Sequence, residues 1–203
     1  MPALAGRRPR TPHQSPGRPR GKAQLNTRPA PQTPRYPPPA TRLARPADLF
    51  AAAEARVASW HAAFTGLVPQ DFLDAMDPTT IAASWTDSIT AGRSRLLVAL
   101  LDDNVIGYAG VGPERDPQAP PTTGELYALF VHPDHWGTGA GRALADAACA
   151  DLRKSGCDTV QLWVLEANNR ARRFYARYGF VETADRAYSS LNDLPELRMT
   201  AGL

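Results

Sequence analysis

The sequence predicts a mixed α/β sheet built around a strand–helix–strand unit. From Thr41 onward, segments with helical apolar spacing alternate with apolar runs of strand length. One of those runs, Thr159 to Leu165, is apolar along nearly its whole length, as expected of a strand buried on both faces. A chain of 203 residues has room for one ordinary domain with its own core.

Residues 1–40 stand apart from this pattern. They hold eleven of the twenty prolines and eight Lys or Arg with no Asp or Glu, so they bury too little apolar surface to offset their ordering entropy and are expected to form a disordered Pro/Arg-rich leader. A solvated tail, a start codon placed too far upstream and a phosphate-binding tether all fit such a composition. The rest, residues 41–203, keeps fifteen basic against twenty acidic side chains, a net of −5. A nucleic-acid partner is therefore not expected of the folding part. No apolar run approaches the roughly 18 residues of a membrane span, and the N-terminus lacks the apolar middle of a secretory signal, which predicts a cytoplasmic protein with no membrane partner. Cys149 and Cys157 match neither a disulfide framework nor zinc-ligand spacing.

Thr41 to Arg45 reads as a short strand, and Asp48 as the N-cap of a helix through Phe64 with Leu49, Ala53, Val57, Trp60 and Phe64 near helical spacing. After Gly66 and Pro69, two shorter helices are expected, Gln70 to Met76 and Thr79 to Thr90. Arg95 to Leu101 and Val105 to Gly112, joined by Asp102-Asp103-Asn104, read as a hairpin. Beyond a Pro-rich loop, Glu125 to Val131 is a strand, Thr138 to Ser155 an Ala-rich helix, Thr159 to Leu165 a strand and Asn168 to Tyr178 a helix stopped by Gly179. Thr183 to Tyr188 and Glu196 to Thr200 are two weaker strands.

The chemistry concentrates between Glu125 and Arg142. A strand ends at Pro133 and passes through Gly137, Gly139 and Gly141 into a helix. Glycines let the backbone approach a ligand, and the first N–H groups and dipole of the helix favour an anion, so a pyrophosphate is the natural guest. Gly137-Thr138-Gly139 could open a dinucleotide fingerprint with Glu166 as the ribose acid, but Arg142 stands where the third glycine belongs. No Gly-Lys-Ser/Thr follows, which removes a mononucleotide P-loop. Further on, Asn168, Ala171 and Tyr175 fall at i, i+3 and i+7 on one helix face, where the short Ala171 leaves room for a slender ligand arm. Phe174 and Tyr175 could equally be core. His132, Asp134 and His135 read as a solvated loop, with no metal expected.

Taken together, Val131-x-Pro133, Gly137-x-Gly139-x-Gly141, the long helix, the strand, Asn168-x-x-Ala171-x-x-Phe174-Tyr175 and Gly179-Phe180 closely resemble the GCN5-related N-acetyltransferase (GNAT) family, from Thr41 to about Thr200. The resemblance implies a mostly antiparallel sheet with one splayed parallel strand pair and helices on both faces. It implies acetyl-CoA as co-substrate and direct transfer to a primary amine in a ternary complex, with a small-molecule acceptor favoured and a protein or peptide the alternative; a regulatory module that holds acyl-CoA without turnover is the reading from another class. On the matching positions, Leu129, Phe130 and Val131 bond the pantetheine arm. Trp136, Gly137, Thr138, Gly139, Ala140, Gly141 and Arg142 cradle the phosphates, with Trp136 where the family usually has Gln or Arg. Asn168 and Ala171 line the arm, Tyr175 is the general acid and Glu125 the candidate base. The acceptor site is expected from the first helices and the loops near 66–71, 113–123 and 188–195, with Trp60, Phe64, Phe72 and Trp85 as lining or core. A homodimer through edge strands is also implied.

Overall fold

The structure is a computed structural model and describes residues 39–189 and 193–203. The expected leader therefore lies outside the described residues up to position 38. The elements follow the order β1 (Ala40–Leu43), α1 (Leu49–Phe64), α2 (Gln70–Asp74), α3 (Pro78–Thr90), β2 (Arg95–Leu101), β3 (Asn104–Pro113), β4 (Thr123–Val131), α4 (Ala140–Lys154), β5 (Thr159–Leu165), α5 (Asn169–Tyr178), β6 (Val181–Tyr188) and β7 (Pro195–Gly202). The seven strands form one sheet ordered β1-β2-β3-β4-β5-β7-β6, antiparallel except for β4 beside β5. Alternation along β2 splits the core between the faces. Leu97 and Ala99 pack towards Leu144, Ala148 and Leu152 of α4, while Leu96 and Val98 pack with Leu49 and Ala52 of α1 and Tyr108. Among the described residues no helix is long and apolar enough to cross a membrane.

Local chemistry changed three details of the expected elements, while α1 keeps its expected span Leu49–Phe64. Pro46 starts a 3-10 turn over Pro46–Asp48, so Asp48 is already helical and does not cap α1. Its carboxylate accepts instead from the Arg45 N–H at 2.6 Å and from both Arg42 guanidinium nitrogens, and the Arg42 bond holds it below the usual carboxylate range. Gly139, with φ at +96°, postpones the start of α4 to Ala140. The hairpin turns on Asp102 and Asp103, both at positive φ (47° and 64°), the backbone pattern that matches strand twist.

The feature that shapes the rest lies in β4. Gly110 pairs with Ala128 but Val111 pairs with Leu126, which leaves Tyr127 as an extra, unpaired residue. This β-bulge bends the strand. β4 runs parallel to β5 only at Thr123, Gly124 and Glu125, opposite Thr159, Val160 and Gln161; past the bulge the two strands separate. Glycine makes the bulge possible: a Cβ at Gly112 would lie 2.8 Å from the Tyr127 ring and 2.9 Å from the Arg93 carbonyl oxygen. Tyr127 is fastened there by its hydroxyl, which donates to the Pro113 carbonyl.

Farther along β3, a Cβ at Gly107 would fall 2.6 Å from the Phe130 carbonyl oxygen and 2.9 Å from the Val131 Cα, both rigid backbone atoms. Gly107→Ala is expected to cost about 1–3 kcal/mol by overpacking. Urea unfolding measures it, and an unchanged midpoint would mean that β3 and β4 are not held this closely.

Candidate active site

The split between β4 and β5 opens into a cavity of about 310 Å³. Leu129, Phe130 and Val131 of β4 form one wall, Trp136, Gly137, Gly139, Gly141 and Arg142 one end, and Asn168, Arg170, Ala171, Phe174 and Tyr175 the other wall, with Ser59, Ala63 and Phe64 of α1 across the top. Nearly all the residues singled out in the sequence thus converge. Thr138 and Ala140 do not line the cavity: the Thr138 hydroxyl donates to the His135 carbonyl at 2.8 Å, and the Ala140 side chain is buried in the core.

At the glycine end, Gly137 and Gly139 both have positive φ (82° and 96°), and a Cβ on either would meet no protein atom within 4 Å. Their side of the backbone is open space facing the cavity. Ala143 makes the first helical bond of α4, to Gly139, so the N–H groups of Ala140, Gly141 and Arg142 have no helical partner and supply donors and positive dipole there.

Trp136 has a structural use that its position in the motif did not reveal. Its indole N–H donates to the Val131 carbonyl at 2.7 Å, and the Ser59 hydroxyl donates to the same oxygen at 2.6 Å. One carbonyl therefore ties α1, the end of β4 and the glycine loop together. The exposed face of the indole carries the Arg170 guanidinium, 3.5 Å from the ring centroid. Arg170 forms no ion pair among the described residues, and burial lowers its pKa. A cation absent from position 136 is thus supplied at the cavity by Arg170, held by cation–π contact. Arg142 is committed elsewhere, to Asp146 at 3.2 Å and over the Tyr178 ring.

On the far wall, the Asn168 side chain caps α5 by accepting from the Ala171 N–H at 3.0 Å, which leaves its amide N–H groups for the cavity. Tyr175 is 8% exposed, is wedged edge-on between Phe174 and Phe180, and its hydroxyl forms no hydrogen bond among the described residues. Burial pushes its pKa up, so the phenol stays protonated through the neutral range. The cavity joins an anion cradle at one end to a slot lined by unpaired strand backbone and one protonated phenol.

The acetyltransferase (GNAT) family profile matches residues 56–180, well over half of the chain. The chain belongs to this family. Members use acetyl-CoA as co-substrate. This acetyltransferase is 32% identical over 124 residues to the uncharacterized N-acetyltransferase Rv2669 of Mycobacterium tuberculosis, a span of 60% of this chain and 75% of the relative. It is 30% identical over 130 residues to YuaI of Bacillus subtilis, 63% and 72% of the two chains. A mycothiol acetyltransferase of Thermobispora bispora is 48% identical over 66 residues, but that span is 32% of this chain and 22% of the relative. Among solved structures, yncA from Salmonella typhimurium with its cofactor acetyl-CoA has a TM-score of 0.63 at 25% identity, covering 81% of this chain and 94% of that one. PaiA N-acetyltransferase of Thermoplasma acidophilum, in complex with coenzyme A, shares the fold with a TM-score of 0.66 at 18% identity, covering 81% and 98%.

Glu125 is placed differently from the expectation for this acetyltransferase. It is 1% exposed and does not line the cavity. Both carboxylate oxygens are taken by the Arg115 guanidinium, and Oε2 also accepts from the Arg115 backbone N–H at 3.2 Å. With both oxygens engaged and no surface on the cavity, Glu125 is not presented to an amine bound there. Arg115 is the exposed partner, at 66% of its side chain. Removing it strands a buried carboxylate, whereas removing Glu125 leaves a guanidinium that water can solvate. Arg115→Ala should cost about 3–5 kcal/mol in chemical unfolding and Glu125→Gln clearly less; equal costs would contradict this geometry.

Residues outside the motifs also reach the cavity. Ser59 and Ala63 arrive only through packing of α1 on β4, and nothing in the local sequence of that helix announces them; Phe64, expected as lining or core, reaches this cavity. Arg170 is one of four arginines between positions 170 and 177, and spacing alone does not tell a solvated charge from one at the cavity. Among the described residues no three His, Cys, Asp or Glu side chains are placed to hold a metal. The buried phenols set the pH response of the fold: burial pushes Tyr108 and Tyr127 up to about 12, and raises Tyr175 and Tyr178 as well. Below pH about 10 both folded and unfolded chains keep these protons. Above it the unfolded chain loses them first, so stability is expected to be level from neutral to about pH 10 and to fall beyond. Urea midpoints measured between pH 7 and 11.5 check this.

Proposed function

We propose that this acetyltransferase moves an acetyl group from acetyl-CoA directly to a primary amine, with both reactants bound at once and a small molecule as acceptor. The observation that carries the reading is the continuity of the unpaired β4 edge, past the Tyr127 bulge, with the glycine cradle in one cavity. Backbone groups of Leu129 to Val131, apart from the Val131 carbonyl already taken by Ser59 and Trp136, take the amide-rich arm of the donor as a neighbouring strand would, which satisfies polar groups that β5 has abandoned. Gly137, Gly139, Gly141 and the first N–H groups of α4 receive the pyrophosphate, with Arg170 adding charge. A backbone N–H of β4 near the bulge polarises the thioester carbonyl.

The neutral amine attacks the thioester carbon, its lone pair forming the C–N bond while the carbonyl electrons move to oxygen. Collapse breaks the C–S bond, and the Tyr175 hydroxyl gives its proton to the departing thiolate. The proton lost by the amine leaves to a carboxylate or water, and holding both reactants in one slot supplies much of the acceleration.

The test is turnover over an amine panel, read as thiol release. Tyr175→Phe is expected to lower kcat by about 10²-fold or more while the KM for acetyl-CoA changes little. Acetyl-CoA that binds tightly with no turnover on any amine, and binds Tyr175→Phe equally well, would instead mark a module that holds the thioester without transferring its acyl group.

A further inference from the structure

A second cavity, of about 380 Å³, lies beside the first. The two follow one another along the same elements. On α1, Arg56 lines the second cavity, and Ser59 and Ala63, one and two turns on, line the first; on β4, Tyr127 and Ala128 line the second, and Leu129 to Val131 the first. The bulge residue therefore sits at their boundary, where the proposed reading puts the acetyl group. Tyr108 and Phe130, with ring centroids 5.9 Å apart, stand between them, Tyr108 lining the second and Phe130 the first.

The chemistry of the second cavity is one-sided. Arg56, Arg93 and Arg115 line it, and no acidic side chain does. Arg115 is engaged by Glu125. Arg56 and Arg93 form no ion pair among the described residues, and the Arg56 Nε is buried without a hydrogen-bond partner. Tyr108 is 1% exposed, and its hydroxyl lies by the Arg56 guanidinium with no hydrogen-bond acceptor of its own among the described residues. Buried donors without acceptors are rare, because each costs roughly 1–3 kcal/mol. The remaining wall includes a Trp85 ring 4.7 Å from Tyr108, Leu96, and two serines, Ser88 and Ser94, whose hydroxyls bond each other at 2.8 Å. Unused donors, two uncompensated guanidiniums and no carboxylate describe a site waiting for an acceptor-only group carrying negative charge.

We propose that this cavity is the acceptor subsite and that the amine substrate carries an anionic group, a carboxylate or a phosphate, bound by Arg56, Arg93 and the Tyr108 hydroxyl. The inference rests on the acetyltransferase reading, because it needs the amine end to face the thioester at the Tyr127 boundary. The anion end is fixed by the guanidiniums, and the chain between spans the boundary. A volume of about 380 Å³ suits a small molecule.

Matched acceptors test it: β-alanine against ethylamine for the carboxylate, and O-phosphoethanolamine against ethanolamine for the phosphate. In at least one pair the anionic member should have the larger kcat/KM by about 10-fold or more, the size expected of one charge-assisted contact, and the better pair identifies the anion. In Arg56→Gln and Arg93→Gln the ratio should fall towards one, mainly through the acceptor KM. Tyr108→Phe should lower the ratio while raising the urea midpoint of the free protein, since it deletes an unpartnered hydroxyl; a purely structural tyrosine would not couple the two. Ratios near one in both pairs, or variants that leave the ratio unchanged, overturn the inference even while acetyl-CoA binds and neutral amines are acetylated. If no acceptor turns over, calorimetry of β-alanine and O-phosphoethanolamine into protein saturated with coenzyme A decides: binding lost in Arg56→Gln supports the site, and no binding of either overturns it. Absence of acetyl-CoA binding, by contrast, would strike the proposed function itself.

Discussion

Everything distinctive in this structure depends on the release of β4 from β5 after Glu125. Backbone N–H and C=O groups rarely go unpaired inside a protein, and a parallel pair in the middle of a seven-stranded sheet is an improbable place to leave them so. Tyr127 causes the release by inserting one residue into the ladder with β3. Gly112 leaves room for its ring and the Pro113 carbonyl takes its hydroxyl. Gly124, where α4 packs Leu152 directly against the backbone, keeps the strands joined just before the fork. The slot is therefore narrow at its base and open along Leu129 to Val131, a shape for a slender polar chain.

Around this slot, the fold commits its charged groups in a graded way. The glycine loop is pinned through the Val131 carbonyl, which accepts from both Ser59 and Trp136 and so joins the cradle, the strand and α1. Arg170, held on the indole face, is the charge placed on that frame. On the other side of the bulge, the Arg115–Glu125 pair fills a buried position that would otherwise hold a lone carboxylate. That pairing leaves Arg56 and Arg93 as the cations lining the second cavity that form no ion pair among the described residues.

Much of this was legible in the sequence, for identifiable reasons. Periodicity placed every helix and strand to within a few residues, because each carries its apolar face at the spacing its geometry dictates. Gly137 and Gly139 could be read as an anion cradle, and Asn168 and Tyr175 as one helix face, because backbone conformation and helix face depend on nearby residues; that the two share a site was implied by the family resemblance. The bulge at Tyr127 was not legible: it exists through a mismatch of register between two strands, and Gly112, which permits it, looks like any strand glycine. The fate of Glu125 was hidden for the same reason, since Arg115 reaches it only after the Pro-rich loop folds back. Asp48 looked like an N-cap, and the turn begun by Pro46 carried it into the helix instead. The loop near 188–195, expected to shape the acceptor site, includes residues 190–192, which lie outside the described residues; the second cavity is built instead by α1, α3 and the first strands, where Trp85 joins its wall.

The most direct test of the split-strand account is amide hydrogen exchange of β4, measured by NMR with and without acetyl-CoA. If the donor completes the sheet as a strand would, amides of Ala128 to Val131 that face β5 should exchange markedly more slowly in the complex, as should those of Gly137 to Arg142, and Gly139→Glu should abolish both effects. Acetyl-CoA that binds while leaving β4 exchange unchanged, or that protects a different surface, would contradict the account.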